Sequence, residues 1–367
     1  MKKHTKNWIA TVTGITAGFA LLIGLQAGCN GDDATETTTT ATSGDAPVFT
    51  LAWSEYPSWS VFGVAEENGF INGAEGEMGS AELAHNVDIV LKQLDYDPCL
   101  QQYGAGQLDA VCITNIDVLG IALSVPSVAV LPTSTSVGAD AVIVNESVSD
   151  IAALNLTDTY GLERSVSEYM FRRVLEVRGE NPDDFSFKNR DPAIAAAALQ
   201  SGDDEINAIA VWNPFVLQTL KNTPGTKRLF DSSEIPGEII DMVVMSKASL
   251  ERDGGDRAVA AIAEAFYGVA DLLEGDKRDD TLVALGARFS DLDAGEMAEC
   301  LEQTQIFMTP DSAKAFFGDA KLTQTMDFVE QFAKDRGLIE EGDPSVEVVS
   351  DLDGVKASSA DLIFLNQ

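Results

Sequence analysis

The sequence predicts an α/β protein of two lobes, with parallel-based sheets that carry helices on both faces. Three observations support this prediction. Apolar strand patterns alternate with helix patterns from Val48 onwards. The alternation breaks after residue 145 and starts again at Leu156, which indicates a second sheet. Beyond Asp256 the pattern is helical to about Lys334, so the C-terminal part is predicted to be helical, and the last thirty residues are mixed.

The first group of elements consists of strands that are followed by helix signals. The predicted strands are Val48–Ser54, Val87–Leu94, Leu108–Thr114, Ser127–Pro132 and Asp140–Asn145. Helix starts are indicated by Pro57, with a stop at Gly69, by Pro98, and by Asn115 as an N-cap. Strands and helices that alternate at this spacing indicate a parallel sheet.

The second group repeats the same order. Its predicted strands are Leu156–Glu163, Phe185–Arg190, Ile206–Trp212 and Lys227–Ser233, with an extended return at Glu238–Ser246. Ser165 or Ser167 caps one helix, an alanine-rich helix starts at Pro192, and Pro214 opens a third.

Two passages of the chain between these groups predict a hinge between two lobes. The first lobe is expected to hold residues 47–140 and 245–340, and the second lobe to be the insert 141–244. Residues 341–367 are expected to form a C-terminal tail. Two lobes joined by two crossovers are typical of clamshell binding proteins.

The N-terminus has the layout of a bacterial export signal. Three lysines precede an apolar stretch at 8–25, and small residues then lead to Cys29. A cysteine after Ala-Gly resembles the lipobox of bacterial lipoproteins, in which the thiol is acylated. Residues 1–28 are expected to be a cleaved lipoprotein signal, and the Thr-rich 29–46 a disordered tether. An uncleaved anchor helix is the alternative, since about 18 apolar residues nearly suffice to span a membrane.

The strongly negative net charge of the chain creates an electrostatic field that limits which partners the protein can bind. The formal charge is −35 over 367 residues, and removing residues 1–28, which hold three lysines and no acid, makes it −38 over 339. Such a field repels phosphate backbones, so we expect no nucleic-acid partner. The hydrophobic fraction of 45% is enough to fill the cores of about two domains.

Signals for catalysis and metal binding are absent from the sequence. It contains no Gly-x-Ser-x-Gly elbow and no Gly-x-x-x-x-Gly-Lys loop. Two histidines, His4 and His85, and no Cys-x-x-Cys pair exclude the common zinc patterns. For Cys99, Cys112 and Cys300, a Cys99–Cys112 bridge and buried free thiols both stay open. We therefore expect no enzyme, no cofactor and no metal site.

Candidate binding residues follow strands at the points where helices begin. Such junctions occur at 53–57, 114–117, 163–167 and 212–214. In an open parallel sheet they line the crevice at the carboxyl ends of the strands, and each helix start attracts anionic or acceptor groups. Ordinary N-capping explains any one junction, but their recurrence in both groups predicts a solute site between two lobes.

Aromatic side chains concentrate at the same junctions. Trp53, Tyr56 and Trp59 lie at the first, and Trp212 lies at a junction of the second group. Rigid aromatic walls with a few polar groups are typical of a solute pocket. The alternative for Trp59 and Trp212 is that they are half-buried core residues.

Six blocks of the predicted body resemble the solute-binding proteins of nitrate/sulfonate/taurine-type ABC importers. That group also includes thiamine-precursor binders and the Thi5-like fold. The blocks cover about residues 48–335 and read WSEYPSWSVFGVAEENGF, YGAGQLDAVCITNIDVLG, TSVGADAVIV, GLERSVSEYMFRRVLE, AIAVWNPFVLQTL and FDSSEIPGEIIDMVVM. The resemblance implies a type II periplasmic binding protein fold and an exported, lipid-anchored monomer that delivers a solute to an ABC permease and its ATPase. The segment 71–86 is longer than the family pattern, and its role stays open.

Carried over by position, the resemblance implies pocket residues from both lobes. They are Trp53, Tyr56, Trp59, Thr114, Asn115, Asp117, Ser136, Gly138, Asp140, Ser165, Ser167, Trp212, Asn213 and Glu238.

The solute class stays open at this point. Arg164 is the only cation in the junctions, so sulfonate, nitrate or bicarbonate would be held mainly by helix starts and hydroxyls. We favour such a small anion or a neutral polar solute. Aromatic rings beside Glu55, Asp117 and Glu238 would also suit an amide, an amine or a pyrimidine.

Two rival functions remain. A Thi5-like enzyme of pyrimidine synthesis would need an active-site histidine and a cysteine-rich iron motif, neither of which is visible in the sequence. A sensor that feeds a signalling partner is the third hypothesis, and a kinase among the neighbouring genes would favour it.

Overall fold

The computed structural model describes residues 41–42, 46–203, 205–288, 292–339, 342 and 344–367. The expected signal, Cys29 and most of the expected tether lie outside the described residues. None of the helices within these ranges is both long and apolar enough to cross a membrane.

The described part of the chain mostly alternates strands and helices up to β12, and helices predominate after it. The strands are β1 (Ala41–Thr42), β2 (Val48–Trp53), β3 (Glu77–Met78), β4 (Asp88–Gln93), β5 (Ala110–Thr114), β6 (Ser127–Ser136), β7 (Asp140–Val144), β8 (Asp158–Gly161), β9 (Ser186–Asn189), β10 (Ala208–Trp212), β11 (Lys227–Asp231), β12 (Ile240–Ser246), β13 (Thr304–Ile306), β14 (Val346–Val349) and β15 (Leu362–Leu365). The helices are α1 (Val61–Glu67), α2 (Ser80–His85), α3 (Tyr96–Gly104), α4 (Asn115–Ala122), α5 (Ile151–Leu154), α6 (Val166–Val177), α7 (Pro192–Ser201), α8 (Phe215–Asn222), α9 (Lys247–Leu250), α10 (Gly255–Glu274), α11 (Arg278–Arg288), α12 (Ala294–Gln303), α13 (Pro310–Phe317), α14 (Ala320–Asp335) and α15 (Leu352–Ala357).

The larger sheet has the strand order β14-β15-β6-β12-β5-β2-β4, and β13 also pairs with β6. β2 lies parallel to β4 and β5, and β15 lies parallel to β14 and β6. β12 lies antiparallel between β5 and β6, because the chain enters it from the other sheet and not through a crossover helix. We call the part built on this sheet, residues 46–136 and 240–367, the large lobe.

The smaller sheet has the order β11-β7-β10-β8-β9. β8 is parallel to β9 and β10, whereas β7 is antiparallel to β10 and β11. Ala141 and Ile143 of β7 pack in one apolar cluster with Leu199 of α7, while Val142 belongs to the main core on the other side. The sheet therefore carries helices on both faces, as predicted. We call residues 140–231 the small lobe.

The first passage between the sheets joins β6 to β7 and is held by one serine. The Ser232 hydroxyl lies 2.7 Å from Ser136 Oγ and accepts the Gly138 N–H at 2.8 Å. Gly138 has a φ of +102°, a conformation that favours glycine. Ser136 and Gly138 therefore shape this connection.

The second passage leads into β12 and is held by α4. The Asn115 amide donates to the Glu238 carbonyl at 3.0 Å, and its Oδ1 accepts the Ile240 N–H at 2.9 Å. Asn115 is fully buried. The Asn115 side chain thus binds two backbone groups of the connection through which the chain leaves the small lobe and enters β12.

The C-terminal part differs from the sequence expectation at three places. β13 interrupts the predicted helical run and extends the pairing of β6. Residues 341–367, expected as a tail, supply β14 and β15, because the apolar run at 362–365 is fully buried in the large sheet. The large sheet resumes at Ile240, a few residues before the expected boundary at 245.

Two helix starts are also shifted. α1 begins at Val61 and not at Pro57, because the N–H groups of Trp59 and Ser60 both bind the carbonyl of Tyr56 in a preceding turn. α3 begins at Tyr96, ahead of Pro98. A proline in the first helical turn is tolerated because its missing N–H would have no partner there.

The segment 71–86 folds as β3 and α2 against α10. The buried Glu82 carboxylate accepts three backbone N–H groups, from Asn72 at 2.7 Å, Gly79 at 2.6 Å and Ile89 at 2.6 Å. This carboxylate therefore links Asn72 and Gly79 of the segment to Ile89 of β4.

Cys99, Cys112 and Cys300 are free and buried. Burial raises the pKa of the Cys99 and Cys300 thiols to about 12. The structure therefore shows the buried-thiol alternative and not a Cys99–Cys112 bridge.

Replacing Asn115 with alanine should lower the free energy of unfolding by about 2–4 kcal/mol, because it leaves two buried backbone groups without partners. Urea unfolding measures the change. Asn222→Ala is the matched control, since Asn222 is exposed at the end of α8, and it should stay within about 0.5 kcal/mol of wild type. Equal, small effects of both substitutions would show that Asn115 does not hold the connection.

Candidate functional site

The two lobes meet around a small cavity of about 10 Å³, which is room for about one water molecule. Its lining is Tyr56, Trp59, Tyr96, Thr114 and Asp241 from the large lobe, with Asp140, Val166 and Trp212 from the small lobe. A wider cleft adjoins it, since Tyr96 and Trp212 line both spaces. Most of these residues come from the junctions between strands and helices, where the sequence pattern placed a solute site, whereas Asp140 and Asp241 lie near the starts of β7 and β12.

Four aromatic rings form a continuous wall of the cavity. The centroids of Tyr56 and Trp59 are 4.9 Å apart, and Trp59 stacks on Tyr96 at 5.4 Å. Tyr96 meets Trp212 edge-on at 5.5 Å, which joins the two lobes. Each of the four side chains is at most 6% exposed. The rings are therefore held rigidly by one another and exclude water from the space beside them.

A hydrogen bond between Asp117 and Ser165 crosses from one lobe to the other. Asp117 Oδ2 accepts the hydroxyls of Tyr96 at 2.7 Å, Thr114 at 2.8 Å and Ser165 at 3.1 Å. Burial raises the pKa of Asp117, and these hydroxyls together with the Val166 N–H partly offset the rise. Because Ser165 precedes α6, this carboxyl occupies the start of that helix from the opposite lobe.

Asp140 and Asp241 face the cavity from opposite lobes. Asp140 Oδ2 accepts the Ser136 hydroxyl at 2.6 Å, and Asp241 Oδ2 accepts the Ser134 hydroxyl at 2.6 Å. Neither forms an ion pair with any residue in the described ranges. They are 3% and 1% exposed, so both carboxyls are buried with only hydroxyl partners.

This burial changes the acidity of both groups. Burial raises the pKa of Asp140 to about 7, with a further rise from the charges of Asp117 and Asp231 and a partial offset from the Ser136 hydroxyl. Burial raises the pKa of Asp241 well above its usual range, and the charge of Asp140 adds to the effect. The pair therefore resists holding two negative charges.

One donor at the cavity has no partner. The Trp59 indole N–H is buried and makes no hydrogen bond within the described part of the chain, whereas the Tyr56 hydroxyl lies against the Asp241 carboxyl. Because Trp59 lines the cavity, its N–H is placed to donate to a solute there.

The adjoining cleft is acidic. Its lining includes the carboxylates of Glu55, Asp95, Asp97 and Asp191, and no lysine, arginine or histidine among the described residues. Burial and the charge of Asp95 raise the pKa of Glu55, with a partial offset from Arg288. The approach to the cavity therefore has a negative potential.

Five of the predicted site residues line the cavity, and three more bind or position its lining. The lining residues are Tyr56, Trp59, Thr114, Asp140 and Trp212. Ser136, Asp117 and Ser165 hold them through hydrogen bonds.

The other six predicted residues lie outside the lining. The Trp53 ring is fully buried against Gly63 of α1. Asn115 and Gly138 hold the connections between the sheets, and Ser167 is buried in α6. The Asn213 amide donates to Gln303 Oε1 at 2.9 Å. Glu238 accepts from Tyr169 at 2.7 Å and Arg173 at 3.1 Å. No residue of the segment 71–86 lines the cleft or the cavity.

Three lining residues were missed by the sequence analysis. Tyr96 follows β4 at a junction of the same kind as the others, so the pattern that found Trp212 could have found it. Asp241 is the single acid inside the apolar run of β12, which is a recognisable signal of a functional carboxyl. Val166 carries no such signal.

Comparison with solved structures gives many matches over most of the chain. The periplasmic aliphatic sulphonate binding protein of Escherichia coli is 16% identical with a TM-score of 0.59, over 81% of this chain and 90% of its own. The alkanesulfonate-binding protein of Xanthomonas axonopodis pv. citri, solved with MOPS, is 16% identical with a TM-score of 0.58, over 81% and 100%. A Candida albicans protein described as having the generic periplasmic binding protein fold is 12% identical with a TM-score of 0.58, over 81% and 92%.

These structural matches confirm the predicted fold. No family model matches the sequence, and no curated protein matches it. The protein has the periplasmic binding protein fold, and the resemblance seen in six sequence blocks is confirmed at that level.

Replacing Asp140 with asparagine should stabilise the protein more at pH 8 than at pH 5. The pKa of Asp140 rises from 3.8 to about 7 on folding, so its ionisation costs stability as the pH rises through that range. In urea unfolding, we expect Asp140→Asn to raise the free energy of unfolding by about 1–2 kcal/mol more at pH 8 than at pH 5. Asp327→Asn, at an exposed position of α14, should show no such pH dependence. A pH-independent effect of Asp140→Asn would mean that Asp140 ionises normally.

Proposed function

We propose that this protein is an extracytoplasmic solute-binding lipoprotein that captures a small polar solute between its lobes and delivers it to an ABC permease. The cavity lined from both lobes is the observation that carries the proposal. Its aromatic wall and few polar groups match the character of small-molecule sites. The two connections that Asn115 and Ser232 hold are placed where a hinge would let the lobes separate.

The N-terminal sequence supports a location outside the cytoplasm. A signal of residues 1–28 would export the chain, and acylation of Cys29 would anchor it through the tether. A single anchored copy beside the membrane would be well placed to pass its solute to a permease and the attached ATPase. The fold it shares with periplasmic sulfonate-binding proteins is in keeping with this role.

A thermal-shift screen tests the binding function. The panel contains the sulfonates, nitrate and bicarbonate that the sequence analysis favoured, together with amides, amines and pyrimidines. A solute that binds the folded protein raises its melting temperature in a concentration-dependent way. Deleting the gene should then abolish uptake of that solute by cells. A binding solute whose uptake survives the deletion would favour a sensor over a transport component.

Replacing Trp212 with alanine should weaken binding of the most stabilising solute in that screen by about tenfold or more. The indole is the aromatic wall that the small lobe contributes, and loss of such an anchor usually costs this much. Isothermal titration calorimetry measures the change. Phe328→Ala is the matched control, because Phe328 is 39% exposed and lines neither space. Unchanged affinity in Trp212→Ala would remove Trp212 from the site.

Replacing Cys29 with serine should move the protein from the membrane fraction to the soluble fraction, because the acylated thiol is lost. Cell fractionation with labelled fatty acid measures both anchoring and acylation. Ser43→Ala, in the expected tether, should stay in the membrane fraction and keep its label. Continued membrane association of Cys29→Ser would favour the uncleaved anchor helix.

A further inference from the structure

The charges around the cavity are all of one sign. Asp140 and Asp241 face it, and Asp117 lies directly behind Tyr96 and Thr114. No lysine, arginine or histidine of the described residues lines the cavity or the adjoining cleft. A negative solute would have to enter past the acids of the cleft and sit beside two buried carboxyls, at a large electrostatic cost.

The helix start that would suit an anion is already occupied. Asp117 Oδ2 lies 3.1 Å from the Ser165 hydroxyl at the beginning of α6. In a site built for a sulfonate or nitrate we would expect these donors to be directed at the solute. Here a carboxyl of the large lobe takes that position, so the donors serve the contact between the lobes.

The aromatic wall fits a positive charge. The faces and edges of Tyr56, Trp59, Tyr96 and Trp212 bound one side of the space, with successive centroids 4.9–5.5 Å apart. Aromatic rings around a small cavity attract ammonium groups through their quadrupoles, and the attraction grows when the cation is desolvated. The carboxyls opposite would supply the counter-charge.

The unpartnered Trp59 N–H indicates a second feature of the ligand. An indole N–H can only donate, so its partner in the ligand must be an acceptor atom. A hydroxyl or carbonyl oxygen near the positive centre would supply that acceptor, while the Tyr56 hydroxyl lies against Asp241.

Building on the proposed function, we infer that the solute is a small organic cation, an amine or quaternary ammonium compound that carries one oxygen acceptor. The positive centre lies between the four rings and the carboxyls of Asp140 and Asp241. The oxygen lies against Trp59. The cavity of about 10 Å³ is smaller than any such solute, so the lobes must separate to admit it and close around it, which limits the solute to a compact molecule.

The carboxyl environment adds a pH signature. Asp140 faces Tyr56, Asp241 and Ser136 and is influenced by Asp117 and Asp231, whose charge is paired with Arg228 at 2.9 Å. With an Asp140 pKa of about 7, a cation meets a protonated carboxyl at pH 5.5 and an ionised one at pH 8. Affinity for a cation should therefore rise with pH, whereas affinity for an anion should fall.

Three probes with the same hydroxyethyl arm isolate the charge. Choline carries a trimethylammonium head, 3,3-dimethylbutan-1-ol a neutral head of the same shape, and isethionate a sulfonate head. Ethanolamine adds a primary amine. Calorimetry on the mature wild-type protein should show choline or ethanolamine binding at least tenfold more tightly than the other two probes. That affinity should be about tenfold higher at pH 8 than at pH 5.5.

Variants locate the charge. Asp140→Asn and Asp241→Asn should each weaken cation binding tenfold or more, and Asp140→Asn should flatten its pH dependence. Asp327→Asn, remote from the site, should bind as wild type does. The probe comparison needs no variant, so it decides the matter even if a substitution impairs folding.

The outcomes separate this inference from the proposed function. Preferred binding of isethionate or the neutral alcohol, or affinity that falls with rising pH, would overturn the cation assignment and leave a solute-binding protein. Failure of both cations while another member of the thermal-shift panel binds would do the same. Failure of every compound in both sets would remove the cation assignment and count against the binding function itself.

Discussion

Two carboxyls buried between the lobes without a cationic partner are the constraint on which the site depends. Asp140 and Asp241 receive only hydroxyl hydrogen bonds, from Ser136 and Ser134. Hydroxyls do not replace the hydration that a carboxylate loses on burial, so burial favours the protonated form of both carboxyls. A positive solute would reverse that preference, and the aromatic wall would shield the resulting pair from water.

The contacts between the lobes connect this site to the hinge. Ser136, which binds Asp140, also contacts Ser232 at the first connection, so the carboxyl and the passage between the sheets share one network. Asp117 spans the lobes at the start of α6 through Ser165. Opening the lobes would break this bond and separate Trp212 from Tyr96. The polar and aromatic contacts at the cavity are thus among the contacts that join the lobes, together with the Asn213–Gln303 hydrogen bond and the Arg336–Asp183 ion pair outside it.

The sequence predicted most of the elements up to Ser246 and five of the eight residues that line the cavity, because strand ends, caps and aromatic residues are local signals. Tyr56, Thr114 and Trp212 were found in this way. The roles of Asn115 and Asp117 could not be read locally, because their partners lie 123 and 48 residues away in the chain. The sequence predicted Glu238–Ser246 as an extended return but not its antiparallel place between β5 and β6. That pairing also joins residues that are far apart in the chain. Helix starts alone favoured a small anion as the solute. They did not show that the Asp117 carboxyl, from another part of the chain, already occupies the start of α6.

A crystal structure of the protein with choline bound would show whether the cavity holds a cation. We expect the quaternary nitrogen to lie within about 6 Å of the ring centroids of at least two of the four aromatic residues. We also expect Asp140 and Asp241 to face the nitrogen, with the choline oxygen accepting from Trp59. Choline bound outside the cavity, or carboxyls turned away from its nitrogen, would show that the buried acids do not bind a cation.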